Sequence, residues 1–114
     1  MVPAPARDMV LAEMRTMLNA LSGILDGLSR DDAAAASAAA RSAGMAVAVD
    51  MDPAVRQLLP AAFVELGTAT HRQFDAVAAA IDQGSPIDHV MRDLADLTAK
   101  CVACHGSYRI DEAR

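Results

Sequence analysis

The chain contains no tryptophan, one tyrosine and two phenylalanines, so aromatic residues make up 3% of its 114 residues. Strands draw heavily on aromatic and β-branched side chains, and a scarcity of aromatics argues against a sheet-based core. Basic residues are also few. Ten Lys and Arg stand against fifteen Asp and Glu, giving a formal net charge of −5. These cations are scattered singly, so no basic stripe is available to neutralise phosphates, and nucleic acid is excluded as a partner on that ground. Long hydrophobic runs are missing too. The longest uncharged stretch, Thr16 to Leu25, includes Asn19 and Ser22 and falls well short of the ~20 apolar residues of a membrane span. Met1 leads into Val2-Pro3-Ala4-Pro5 rather than a charged region and an apolar stretch of ~7–15 residues, so no signal peptide is visible.

What the chain does have is 54% hydrophobic residues and twenty-six alanines among many Leu and Met. That composition can bury a core and favours helix. One all-α domain spanning residues 1–114 is expected.

Apolar residues at Val10, Met14, Met17, Leu21, Ile24 and Leu28 alternate in steps of four and three, the seam of a helix in a bundle. The first helix is therefore predicted from Arg7 to Leu28, with Leu11, Leu18 and Leu25 widening its buried stripe. Ser29 and Asp32 have the form of a capping box ahead of the alanine run Ala33 to Ala40, which predicts a second, thin helix that Gly44 weakens or ends. Met45 to Leu59 reads as the long connection, with Asp52-Pro53 marking a turn or a capped helix start. Phe63, Leu66, Thr70, Phe74, Val77 and Ile81 trace a third helix after Pro60, closed by Gln83-Gly84. Ser85-Pro86 with Asp88 signals the start of a fourth, whose core stripe runs through Ile87, Val90, Met91, Leu94, Leu97, Cys101, His105 and Tyr108. Four helices in one small chain predict an antiparallel four-helix bundle.

The most specific signal is Cys101-Val102-Ala103-Cys104-His105, a C-x-x-C-H segment of the kind that attaches haem. Two thiols can add to the two vinyl groups of one porphyrin while the adjacent histidine reaches iron. At 3.6 residues per turn these three side chains share one helix face. Other chemistries use similar residues. A dithiol redox motif belongs at a helix start after a strand, and no strand is predicted here. A zinc site drawing on Cys101, Cys104 and either His71 or His89 lacks the usual paired spacing. Unmodified structural cysteines are the remaining alternative.

On this motif the sequence resembles the cytochrome c′ family, four-helix bundles with C-x-x-C-H near the C-terminus, and it is similar to the periplasmic four-helix b-type cytochrome. Members of both commonly carry a basic residue four positions after the proximal histidine, where Arg109 stands here. The resemblance implies one haem c, with Cys101 and Cys104 as thioether anchors, His105 as the proximal iron ligand and Arg109 near a propionate or the ring face. It also implies a periplasmic location and a homodimer built on the first two helices. The far side of the iron is then faced by the first helix. One register resembles the b-type bundle and makes Met14 the sixth ligand, with Met17 beside the porphyrin. Another runs from Arg7 and puts Leu11 over a five-coordinate iron that binds NO or CO.

A thioether ligand favours reduced iron and suits one-electron transfer to a redox partner protein, which is the expected function. The gas-binding register and a haem-free interaction or metal-binding domain are the alternatives. Catalysis is not expected, because no nucleophile, base and orienting acid stand at workable spacing. Met14 and Met17 are equally good as gap-filling core residues, and Met9, Met45, Met51 and Met91 read as packing. His71 is expected on a partly exposed flank of the third helix or, alternatively, near the haem. His89 is expected at the surface.

Overall fold

The computed structural model describes residues 3–48 and 51–108, and among these the chain forms helices and no strand. In order they are α1 Ala4–Ser29, α2 Ala33–Arg41, α3 Met45–Ala48, α4 Pro53–Arg56, α5 Ala61–Asp82 and α6 Ile87–Ser107. The all-helical class expected from composition is what the structure has. No helix among the described residues is long and apolar enough to cross a membrane.

α1 begins one turn before the predicted Arg7, with Pro3 at its N-cap and Pro5 in its first turn. Proline is at home there, because an N–H in the first turn has no partner inside the helix. Along α1, Val10, Met17 and Ile24 are buried and Met14, Leu21 and Leu28 half-buried, so the four-and-three seam does face the interior. The flank does not. Leu18 is 66% exposed and Leu25 45% exposed, and Leu11 is half-buried.

The cause lies in how α2 sits. Its alanines approach α1 so closely that a Cβ at Gly27 would stand 2.7 Å from the Ala36 backbone nitrogen, and one at Gly23 would stand 2.8 Å from the Ala39 Cβ. A nine-residue helix of small side chains covers the glycine side of α1 and leaves the Leu18 and Leu25 side open. The cap of α2 also differs from the expected box. α1 runs on through Ser29, whose hydroxyl donates back to the Asp26 carbonyl, so Asp32 becomes the N-cap and accepts from the Ala35 N–H at 3.0 Å.

α2 packs on α5, α3 also packs on α5, and α5 packs on α6. An Arg41–Asp82 ion pair at 2.6 Å ties the end of α2 to the end of α5. The main core joins Met17, Ala20 and Ile24 to Ala36, Ala40, Phe74, Val77, Ile81, Val90, Leu94 and Leu97. A second, small cluster of Ala6, Val10 and Val55 lies near the start of α1, with Met51, Leu59 and Phe63 against it. Within the long connection Asp52 caps α4 by accepting from the Ala54 N–H, with Pro53 in its first turn.

α6 starts after Pro86 with no side-chain cap, so the Ser85 and Asp88 signature marks the boundary without making the bond. Val90, Leu94 and Leu97 are buried, while Ile87 and Met91 are exposed, against the predicted stripe. Among the described residues the closest packing of α6 is on α5, and Ile87 and Met91 lie outside the covered face.

Candidate functional site

α1 and α6 are separated by a cavity of about 450 Å³, within the roughly 300–1,000 Å³ range of cofactor and ligand sites. Each long helix but α2 contributes a wall. α1 supplies Met14, Met17, Leu18 and Leu21, α5 supplies Phe63, Val64, Gly67, His71 and Phe74, and α6 supplies Leu97, Cys101, Cys104 and His105. Met45, Ala48, Met51 and Leu59 of the long connection complete the apolar lining.

The three motif residues sit in the last two turns of α6, where the Tyr108 N–H makes the closing bond to the Cys104 carbonyl at 2.8 Å. Tyr108 then packs its ring edge-on against Phe63, centroids 5.2 Å apart, which fastens this end of α6 to the start of α5. Cys101 and Cys104 are half-buried, and His105 reaches the cavity from a largely exposed position. Burial pushes both thiols above their ordinary pKa, and for Cys104 the neighbouring Cys101 adds to the effect. A reactive dithiol carries the opposite shift.

Met14 and Met17 both line the cavity; Leu11 does not. Arg109 lies outside the described residues. His89 is exposed, as expected, in the first turn of α6. It is twelve residues from Cys101, roughly 18 Å along a helix. Among the described residues no three His, Cys, Asp or Glu side chains gather in a way that could hold a metal ion, which leaves the zinc reading without a site.

His71 departs most from expectation. Its ring is 2% exposed, not on an open flank. Nδ1 donates to the Ala43 carbonyl at 2.6 Å, and Nε2 is hydrogen-bonded to the Glu13 carboxylate of α1. Burial pushes the pKa of the ring down. The Glu13 hydrogen bond, the Ala43 carbonyl and the charges of Glu13 and Asp75 outweigh that and hold it above the ordinary histidine value. With a carbonyl oxygen on one ring nitrogen and a carboxylate on the other, the surroundings favour the protonated ring.

Several wall residues carried no signal in the sequence. Glu13 became part of the site only through His71, which is 58 residues away. Arg15, Arg56 and Lys100 also line the cavity and would place positive charge around an otherwise apolar space. At Gly67 no heavy atom lies within 4 Å of where a Cβ would stand, so the α5 wall is flat and open there.

The residues present fit a porphyrin. Two thiol-bearing residues and a histidine share one wall, two methionines stand on another, most of the lining is apolar, and cations are available for two carboxylates. Compared with models of known protein families, with curated proteins and with solved structures, the chain matches none.

Proposed function

We propose that this chain is a periplasmic c-type haem protein that carries one electron at a time to or from a redox partner, with Cys101 and Cys104 as thioether anchors, His105 as proximal ligand and Met14 as sixth ligand. The arrangement that goes with it is an antiparallel bundle of α1, α2, α5 and α6, with the cavity walled by α1, α5 and α6. One observation carries the reading: the C-x-x-C-H motif of α6 and the Met14–Met17 pair of α1 line a single apolar cavity.

The chain's residues divide the work in this way. Cys101 and Cys104 would hold the haem on α6 through thioethers, and His105, one residue on, would offer its imidazole from the same helix face. Met14 offers a soft, neutral sulfur from α1. Met17, Leu21, Phe74 and Leu97 exclude water from the interior, while Arg15 and Arg56 offer guanidinium groups suited to carboxylates. When bound, the haem supplies a one-electron couple, and a thioether ligand biases it toward the reduced state. A homodimer through α1 and α2 belongs to the same proposal, and the exposed Leu18 and Leu25 are the apolar surface it would bury.

The test is the absorption spectrum of protein exported and co-expressed with a haem-attachment system, oxidised and reduced, with and without carbon monoxide. Covalent haem with a low-spin spectrum indifferent to carbon monoxide is the expected result. A high-spin spectrum that shifts with carbon monoxide would replace electron transfer by the NO- or CO-binding reading. Absence of covalent haem would return the chain to a haem-free interaction domain.

A further inference from the structure

We propose that His71 is a positioning residue that selects the sixth ligand: through Glu13 it holds α1 in the rotation and register that turn Met14, not Leu11, into the cavity. The inference rests on the haem reading above.

The second half of α1 needs no such help. There Gly23 and Gly27 are locked against the alanines of α2. α2 ends at Arg41, so the half of α1 that carries Met14 passes beyond it and spans the cavity. On one side of Met14 this half is held by the small cluster at Val10, and on the other by Met17 in the main core. Apolar burial of this kind is non-directional and does not by itself fix the rotation of a helix. The Glu13–His71 bond is directional. Among the described residues the other side-chain hydrogen bonds and ion pairs of α1 stay within α1 or reach only Arg30 just after it.

Helix geometry sets what this bond must prevent. Leu11 and Met14 are three residues apart, so exchanging one for the other over a fixed point needs a rotation of roughly 60° and a slide of roughly 4.5 Å. Glu13 adjoins Met14, and a helix pinned at Glu13 can make neither movement without breaking the bond. The pin is itself fixed, because the His71 ring is buried and its second nitrogen is held by the Ala43 carbonyl at 2.6 Å. α5, the turn that follows α2, and α1 are thereby joined through one imidazole.

The test uses the full chain carrying covalent haem, as wild type, His71→Leu, Glu13→Leu, His71→Gln and Met14→Ala. Glu13→Leu cuts the same tie from its less buried end and serves if His71→Leu does not fold. Oxidised wild type is expected to show the far-red sulfur-to-iron charge-transfer band and, when reduced, no response to carbon monoxide. Both leucine variants should lose the band and bind carbon monoxide as Met14→Ala does, whereas His71→Gln, whose amide can still donate to Glu13, should keep the band.

In the chain without haem, hydrogen exchange of the α1 amides around Glu13 should quicken about tenfold in the leucine variants, with α6 unchanged. Leucine variants that keep the band and stay indifferent to carbon monoxide would overturn the latch and leave the haem reading standing. A wild type without covalent haem, or with haem and no sulfur band, would overturn the reading itself and the latch with it.

Discussion

The Asp75 carboxylate accepts a hydrogen bond from the backbone N–H of Met45 at 2.9 Å, one turn along α5 from the His71 ring that holds Ala43. Two side chains of α5 thus grip the corner where α2 gives way to α3, and that corner forms one rim of the cavity. The grip depends on Gly44, because a Cβ there would collide with the Asp75 carboxylate. Gly44→Ala is expected to push Asp75 off Met45 and to lower stability by about 1–3 kcal/mol, read as a shift in the urea midpoint.

Gly27→Ala should cost a similar amount, about 1–3 kcal/mol, for a different reason. The obstacle there is the Ala36 backbone, which cannot swing aside, so α1 and α2 must move apart. Thermal unfolding followed by circular dichroism should fall by roughly 4–8 °C for each kcal/mol lost.

Gly67 should behave in the opposite way. It lies inside α5 with open space where a Cβ would go, so Gly67→Ala is expected to raise the stability of the haem-free chain by about 0.5–1 kcal/mol. Gly67→Phe would fill the cavity and block haem attachment, measured as the fraction of chain carrying haem by mass. Attachment undiminished by phenylalanine would show that this cavity is not where the porphyrin goes.

Stability should depend on pH through His71. Its pKa is raised in the folded chain above the unperturbed value of about 6.5, so the folded state holds the proton more tightly than the unfolded state. The stabilisation is complete below about pH 6.5 and is lost as pH rises through the folded pKa. Urea midpoints should therefore fall as pH rises above about 6.5, with a slope that one proton limits to about 1.4 kcal/mol per pH unit. His71→Gln should remove that part of the slope.

Much of this molecule could be read locally. The four-and-three spacing from Val10 to Leu28 is a statement about one helix face, and that face is inside. Asp52-Pro53 read as a turn or a capped helix start, and it is the capped start, because proline and a capping carboxylate act within a single turn. Ser29 misled because capping depends on where the preceding helix stops, and α1 continued through it. Ile87 and Met91 misled because periodicity identifies a stripe without saying whether a neighbour covers it.

The sequence by itself determined the helical class, since propensity and periodicity act over a few residues, and it determined that Cys101, Cys104 and His105 share a face, since their spacing matches the helical turn. Only the tertiary structure decided which walls meet that face. Small residues at Gly23, Gly27 and along α2 let two helices close tightly, and that approach left Leu18 and Leu25 exposed. The pairing of Glu13 with His71 arose in the same way, from helices brought together across 58 residues of chain. Contacts of that kind depend on how side-chain volumes fit between helices, and no local pattern in either helix encodes them.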